Sequence, residues 1–294
     1  MGHTTEYGAS RALASAFTAQ LDAMLGVEAD MARHPDDPEL LHDFRVAIRR
    51  TRSLARVARP YLPKEIRGTW EREWRWLGRV TSARRDLDVL LVEIDDARAT
   101  LPADCSRGLD ELAARTEREQ AAAQQMVVAA LAGDRYAAIK HGWPRVLHEV
   151  STSKRAKGLS AERMARTLER RAARQLDRRV SRVNGASPAH EIHDARKRVK
   201  RFRYTLDHFS DVLPKREVKA AIAATKQLQD DLGSFQDNEV HEQLVSDLLR
   251  SSPPLSAAAT TAARALVDRY GERRVDFRHA LDDQLARFRA TAPA

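Results

Sequence analysis

Apolar residues recur every three to four positions along nearly the whole chain, and the strict apolar–polar alternation that marks strands is missing. The periodicity predicts amphipathic helices over roughly 8–33, 38–59, 64–82, 86–101, 105–132 and 134–150. A second series follows at roughly 159–184, 188–212, 215–232, 237–250, 254–271 and 273–290. Asp37-Pro38 and Ser187-Pro188 both read as an N-cap followed by proline at the first helical position. Between the two series, STSKRAKG (151–158) is polar and short of apolar residues, which suits a connector. The expected fold is all-α, with one helical bundle over 1–150 and another over 159–294 related by a pseudo-twofold axis.

The second series also repeats the first residue by residue. HDFRVAIRRTR (42–52) and HDARKRVKRFR (193–203) share His, Asp and three arginines at the same spacing, 151 residues apart. The register holds without a gap through residues 42–89 and 193–240, where Leu62-Pro63-Lys64 meets Leu213-Pro214-Lys215, Leu77 meets Leu228, Asp86 meets Asp237 and Val89 meets Val240. Eleven of these 48 positions are identical, against about three for unrelated segments of ordinary composition.

At 100° per residue, Phe44, Ile48, Thr51, Ala55 and Ala58 gather on one side of the first motif helix and form its core face. His42, Arg45, Arg49, Arg52 and Arg56 form a separate stripe, centred about 110° round the helix. The second copy repeats both, with Ala195, Val199, Phe202, Leu206 and Phe209 as core face and His193, Arg196, Lys200 and Arg203 as stripe. Asp207 stands where Arg56 would recur. Stacked cations repel by a few tenths of a kcal/mol per neighbouring pair, so a stripe kept in both copies points to an anion laid along it. The competing arrangement pairs these arginines with carboxylates of neighbouring helices, for which 42 acidic residues are available.

Charge supports the first arrangement. Fifty-one Lys and Arg residues, mostly Arg, outweigh the acids to give a net +9, a balance that predicts a polyanionic partner. Arginine's planar fork suits phosphate oxygens better than a lysine point charge. A single cysteine, Cys105, excludes an internal disulfide framework and fits a reducing cytosol. No apolar run approaches the roughly 20 residues of a membrane span, and the N-terminus lacks a signal pattern. The expectation is a cytoplasmic protein with no membrane partner, a monomer or weak dimer.

The paired His-x-x-Arg-x-x-x-(Arg/Lys)-Arg-x-Arg motifs resemble those of the CHAD family, the conserved histidine α-helical domain. RRDLDVLL (84–91) and LQDDLGSFQDNEV (228–240) are similar to that family's later segments, although Ser82 and Gln236 depart from its usual residues. The resemblance covers nearly the whole chain. It implies paired four-helix-type bundles around a cationic surface that binds inorganic polyphosphate, often at polyphosphate granules, without catalysis. Some members are fused to a triphosphate-tunnel domain; its Glu-x-Glu-x-Lys signature is echoed only by Glu71-Arg72-Glu73-Trp74-Arg75, a coincidence within a helix.

The candidate polyphosphate contacts are therefore His42, Arg45, Arg49, Arg50, Arg52 and Arg56, with His193, Arg196, Lys197, Lys200, Arg201 and Arg203. Arg163, Arg166 and Arg170 join them from the basic helix of 162–182, which is expected to carry the strongest positive field; a plain solvated face is its alternative. No cofactor is expected, and no metal: His190 and His193 are three apart, but no cysteine or carboxylate cluster completes a site. Asp86 and Asp237 are expected to cap the helices that follow them, or else to orient the stripe arginines. Trp70, Trp74 and Trp76 are assigned to packing rather than base stacking. His42 and His193 should stay neutral beside arginines and charge against bound phosphate, so binding should strengthen toward pH 6. Nucleic acid is the alternative partner, but no helix-turn-helix, zinc-finger or RNA-binding sheet motif supports it.

Overall fold

The computed structural model describes residues 8–34, 37–102 and 105–291; the N-terminal stretch read for a signal lies largely outside them. The chain runs α1 (Ala9–Arg33), α2 (Pro38–Val57), a π-helical turn (Ile66–Trp70) leading into α3 (Glu71–Val80), α4 (Ser82–Arg98), α5 (Ser106–Ala132) and α6 (Asp134–Ser151). A short 3-10 turn (Lys154–Ala156) precedes α7 (Ala161–Val180), α8 (Ala189–His208), α9 (Lys215–Leu249) and α10 (Ala257–Thr291). No strand occurs among the described residues, only an isolated bridge between Gly8 and Ser160. None of the described helices is long and apolar enough to cross a membrane.

The 151-residue offset of the sequence is also the offset of the helices. α2 and α8 share both bounds at that spacing, α4 and α9 end on matching residues, and α5 and α10 begin on matching residues. Asp37 caps α2 as expected, its carboxylate accepting from the Glu39 amide at 2.9 Å. Ser187 does not cap α8: Pro188 occupies that position, and the Ser187 hydroxyl accepts from the Asn184 amide in the preceding turn.

Two expected breaks do not form. The segments 215–232 and 237–250 are one helix, α9, and 254–271 and 273–290 are one helix, α10. Buried residues pass straight through the first junction at Leu228, Leu232, Phe235, Asn238, His241 and Val245. A lone helical glycine costs only about 1 kcal/mol relative to alanine, so that continuous apolar seam overrides Gly233.

The connector separates two sequence repeats but not two cores. One apolar cluster takes in α1, α2, α3 and α6 together with α7, α8 and the outer parts of α9 and α10. A second joins Leu90, Ile94, Leu109 and Leu112 of α4 and α5 to Val245, Leu248, Leu266 and Tyr270 of α9 and α10. The connector is itself tied down: the Ser153 hydroxyl donates to the Tyr61 carbonyl, and its carbonyl accepts from Ser10. Trp70 and Trp74 pack in the core as read, with Trp143 and Phe17 completing a cluster of ring centroids 5.3–6.2 Å apart. Trp76 lies at its edge under the Arg135 guanidinium.

Candidate functional site

α2 and α8 bury the residues that their periodicity assigned to the core: Phe44, Ile48, Thr51, Ala55 and Ala58 on one, Ala195, Val199, Phe202, Leu206 and Phe209 on the other. Fixing those faces inward fixes the stripes beside them. Because α2 and α8 also pack on each other, the two stripes converge. Arg49 marks the crossing, where its Nε donates to the Tyr204 hydroxyl at 2.8 Å. Its charge acts on both Arg196 and Lys200.

Carboxylates from the helices behind steady the arginines at matching positions. Asp237 on α9 lies 3.6 Å from Arg196, and Asp86 on α4 is the carboxylate that acts on Arg45. Burial raises the Asp86 carboxyl above its ordinary range, with Arg45 opposing and nearby Asp237 adding to the shift. Asp86 is the fifth residue of α4, and Asp237 lies inside α9. Neither is a cap; both belong to the arginine cluster.

The cluster is rich in cation and only partly wet. Burial is the first cause lowering the pKa of Arg45, Arg52 and Arg196, and it brings Lys200 down to about 8, with Arg196 and Arg49 adding to the effect. Guanidinium groups stay charged regardless. Arg45 Nη1, Arg196 Nε and Arg203 Nε are buried and find no acceptor in the protein. Half-desolvated cations with unused N–H groups, set beside one another, favour an anion that offers many oxygens.

The remaining candidates divide. His42 belongs to the cluster, lowered first by burial and then by Arg85 and Arg49. His193 does not: it meets Glu239 at 2.5 Å and stacks near Phe235. The first-repeat equivalent of Glu239 is Asp88, which is taken up by Arg84 and Gln120, so His42 has no such partner. Arg52 is grouped with Arg56, Arg75 and Arg79, with Glu71 the carboxylate acting on it. Arg203 lies near Lys200 and Asp207, and Arg50 also faces Asp207. Lys197 turns outward to Asp194 at 3.2 Å, and Arg201 shares the Gln175 side-chain oxygen with Arg198.

The α7 arginines stand apart. Arg166 pairs with Glu162 at 2.9 Å and with Glu217 at 3.7 Å. Arg166 and Arg170 line a groove of about 760 Å³ whose wall also carries Glu169, Asp177 and Glu217, while Arg163 is exposed. Carboxylates thus dilute the field where the sequence placed its maximum. Sequence reasoning missed Arg85, which adjoins His42, Arg45 and Asp86, and Tyr204, whose position on the α8 wheel falls beside the stripe. Arg75 and Arg79, four apart on α3, were legible by spacing alone.

The family model of the CHAD domain matches residues 15–246 of the chain. Among solved structures, the CHAD domain from the plant Ricinus communis is similar with a TM-score of 0.82 at 24% identity, covering 97% of this chain and 94% of that one. PptA from Streptomyces chartreusis is similar with a TM-score of 0.68 at 16% identity, covering 97% and 99%. No curated protein matches the chain.

Proposed function

The chain belongs to the CHAD family, and from that membership we propose that it binds inorganic polyphosphate non-catalytically in the cleft between α2 and α8, and so is carried to polyphosphate granules. The observation that supports this most is the convergence of two cationic stripes whose buried N–H groups lack acceptors within the protein. Successive stripe members step about 4.5–6 Å along each helix, a ladder suited to a flexible chain with charge on every unit. Arg45 and Arg196 hold the two nearest carboxylates, which then orient cations rather than activate water.

Competition binding across a salt series tests this. Six cations at the crossing (Arg45, Arg49, Arg52, Arg196, Lys200, Arg203) imply a log–log salt slope of about −4, or about a 300-fold loss between 50 and 200 mM salt. Long-chain polyphosphate should displace a labelled strand at least about tenfold better than DNA, RNA or heparin of equal charge. Equal competition by DNA or RNA would place the protein among nucleic-acid binders.

Binding should also fall in two steps as pH rises from about 5.5 to 9. A bound polyanion favours the charged forms of His42 and Lys200, whose free-state values are lowered. Protons are therefore taken up on binding, on the acidic side through His42 and above about pH 8 through Lys200. Lys200→Arg should remove the alkaline fall and His42→Gln the acidic rise. Stability of the free protein moves the opposite way: a folded-state lysine near 8 binds fewer protons than the unfolded one, so Lys200 adds stability as pH climbs from about 8 toward 10.5. Affinity that stays flat over this range would exclude both groups from the contact.

A further inference from the structure

The internal repeat makes one asymmetry conspicuous. Arg50 and Arg201 occupy matching positions, as do Arg56 and Asp207. On one side of the α2–α8 pair, the charges of Arg50 and Arg203 act on Asp207, opposite in sign to it. On the other side, the same pair of positions brings Arg201 to Arg56, two like charges. Arg198 and Arg171 add to that second side, and none of the charges acting on Arg201 is a carboxylate. Asp194 on the same helix is engaged by Arg179 and Lys197, and of these guanidinium groups its charge acts on Arg198.

The side chains there are held rather than loose. Arg198 Nη1 and Arg201 Nη1 both donate to Gln175 Oε1, at 2.9 and 3.1 Å. One neutral amide oxygen thus fixes two guanidinium groups without compensating either charge. Burial and the surrounding arginines bring Arg201 down to about 10, while Arg56 and Arg171 reach into solvent. This cluster is linked to the stripe through Arg56, whose charge acts on both Arg201 and Arg52.

We propose that the cationic track leaves the cleft on one side only, over Arg56 into a pocket formed by Arg171, Arg198 and Arg201 around Gln175, and that this pocket takes the phosphate units of a long strand beyond those in the cleft. The Asp207 carboxylate closes the opposite exit. The proposal rests on the polyphosphate reading of the cleft, and it adds a preference for chain length. Short chains fill the cleft alone, whereas long chains gain the additional pocket.

The test compares long-chain polyphosphate with tripolyphosphate on two variants of the full chain. Arg171→Gln/Arg198→Gln should lose about tenfold or more in affinity for the long chain, given the strength of charge-assisted contacts to phosphate. Its affinity for tripolyphosphate should stay within about twofold. Asp207→Asn should strengthen the long chain alone by opening the second exit. The exposed single variant Arg171→Gln, which cannot disturb the core, should show the same length-selective loss on a smaller scale. Equal losses for both ligands, or no loss for either, would overturn the one-sided track while leaving the cleft intact. If the unaltered protein binds neither ligand, the polyphosphate reading itself fails.

Discussion

Changing Arg45, Arg49, Arg196 and Lys200 together to glutamate is expected to reduce polyphosphate affinity at least about a thousandfold in a protein that keeps its helices. The four cations come from both repeats and meet around Arg49, so the variant turns the centre of the cleft from attractive to repulsive. Hydrogen bonds to charged groups contribute about 1.5–3 kcal/mol each, and reversal adds repulsion to their loss. The helices should survive, because the apolar faces of α2 and α8 are untouched and mutual repulsion among the cations is relieved. Glutamates at 45 and 196 would face Asp86 and Asp237, so the matching glutamine variant serves as the control for stability. It should bind more weakly than the unaltered protein but better than the glutamate variant. Unchanged binding in both would move the site to the α7 face, where Arg163, Arg166 and Arg170 stand.

Much of this site was legible because a helix fixes angles. Once Phe44 and Ile48 are assigned to the core, the direction of Arg45 and Arg49 follows from 100° per residue. The repeat then doubles the constraint: α2 begins on its expected residue and α8 one residue after it. What one helix wheel cannot supply is the partner of a polar side chain. His42 and His193 look equivalent along the chain, yet they differ because Asp88 is held by Arg84 while Glu239, near Arg274, turns one oxygen to His193. Asp86 and Asp237 looked like caps because separate helices were expected to begin at 86 and 237. No turn forms at Gly233, since the buried seam of α9 runs through it. The α7 wheel is equally silent on Glu217, far away in sequence, which lies on α9 against Arg166.

Gly108→Ala should destabilise the fold by about 2–3 kcal/mol, contrary to the usual gain from replacing a helical glycine. Gly108 lies in the first turn of α5, where α10 crosses it closely. A Cβ built there would stand 2.3 Å from the Ala258 carbonyl oxygen and 2.9 Å from the Ala262 Cβ. Both obstacles are backbone or a buried methyl, neither of which can rotate away, so the two helices must part. The cost reaches the core that joins the repeats, because Leu109, Leu112, Ala262, Ala263 and Leu266 pack together at that crossing. Gly271→Ala supplies the opposite sign on the partner helix. It lies in α10 with no atom within 4 Å of a built Cβ, so alanine should stabilise by up to about 1 kcal/mol through helix propensity. Thermal melting of the two variants should move in opposite directions, with Gly108→Ala lowering the midpoint by several degrees. A shift of the same sign in both would mean that α5 and α10 do not meet backbone to backbone at Gly108. The second of the two apolar clusters that span the repeats would then rest on side chains alone at that crossing.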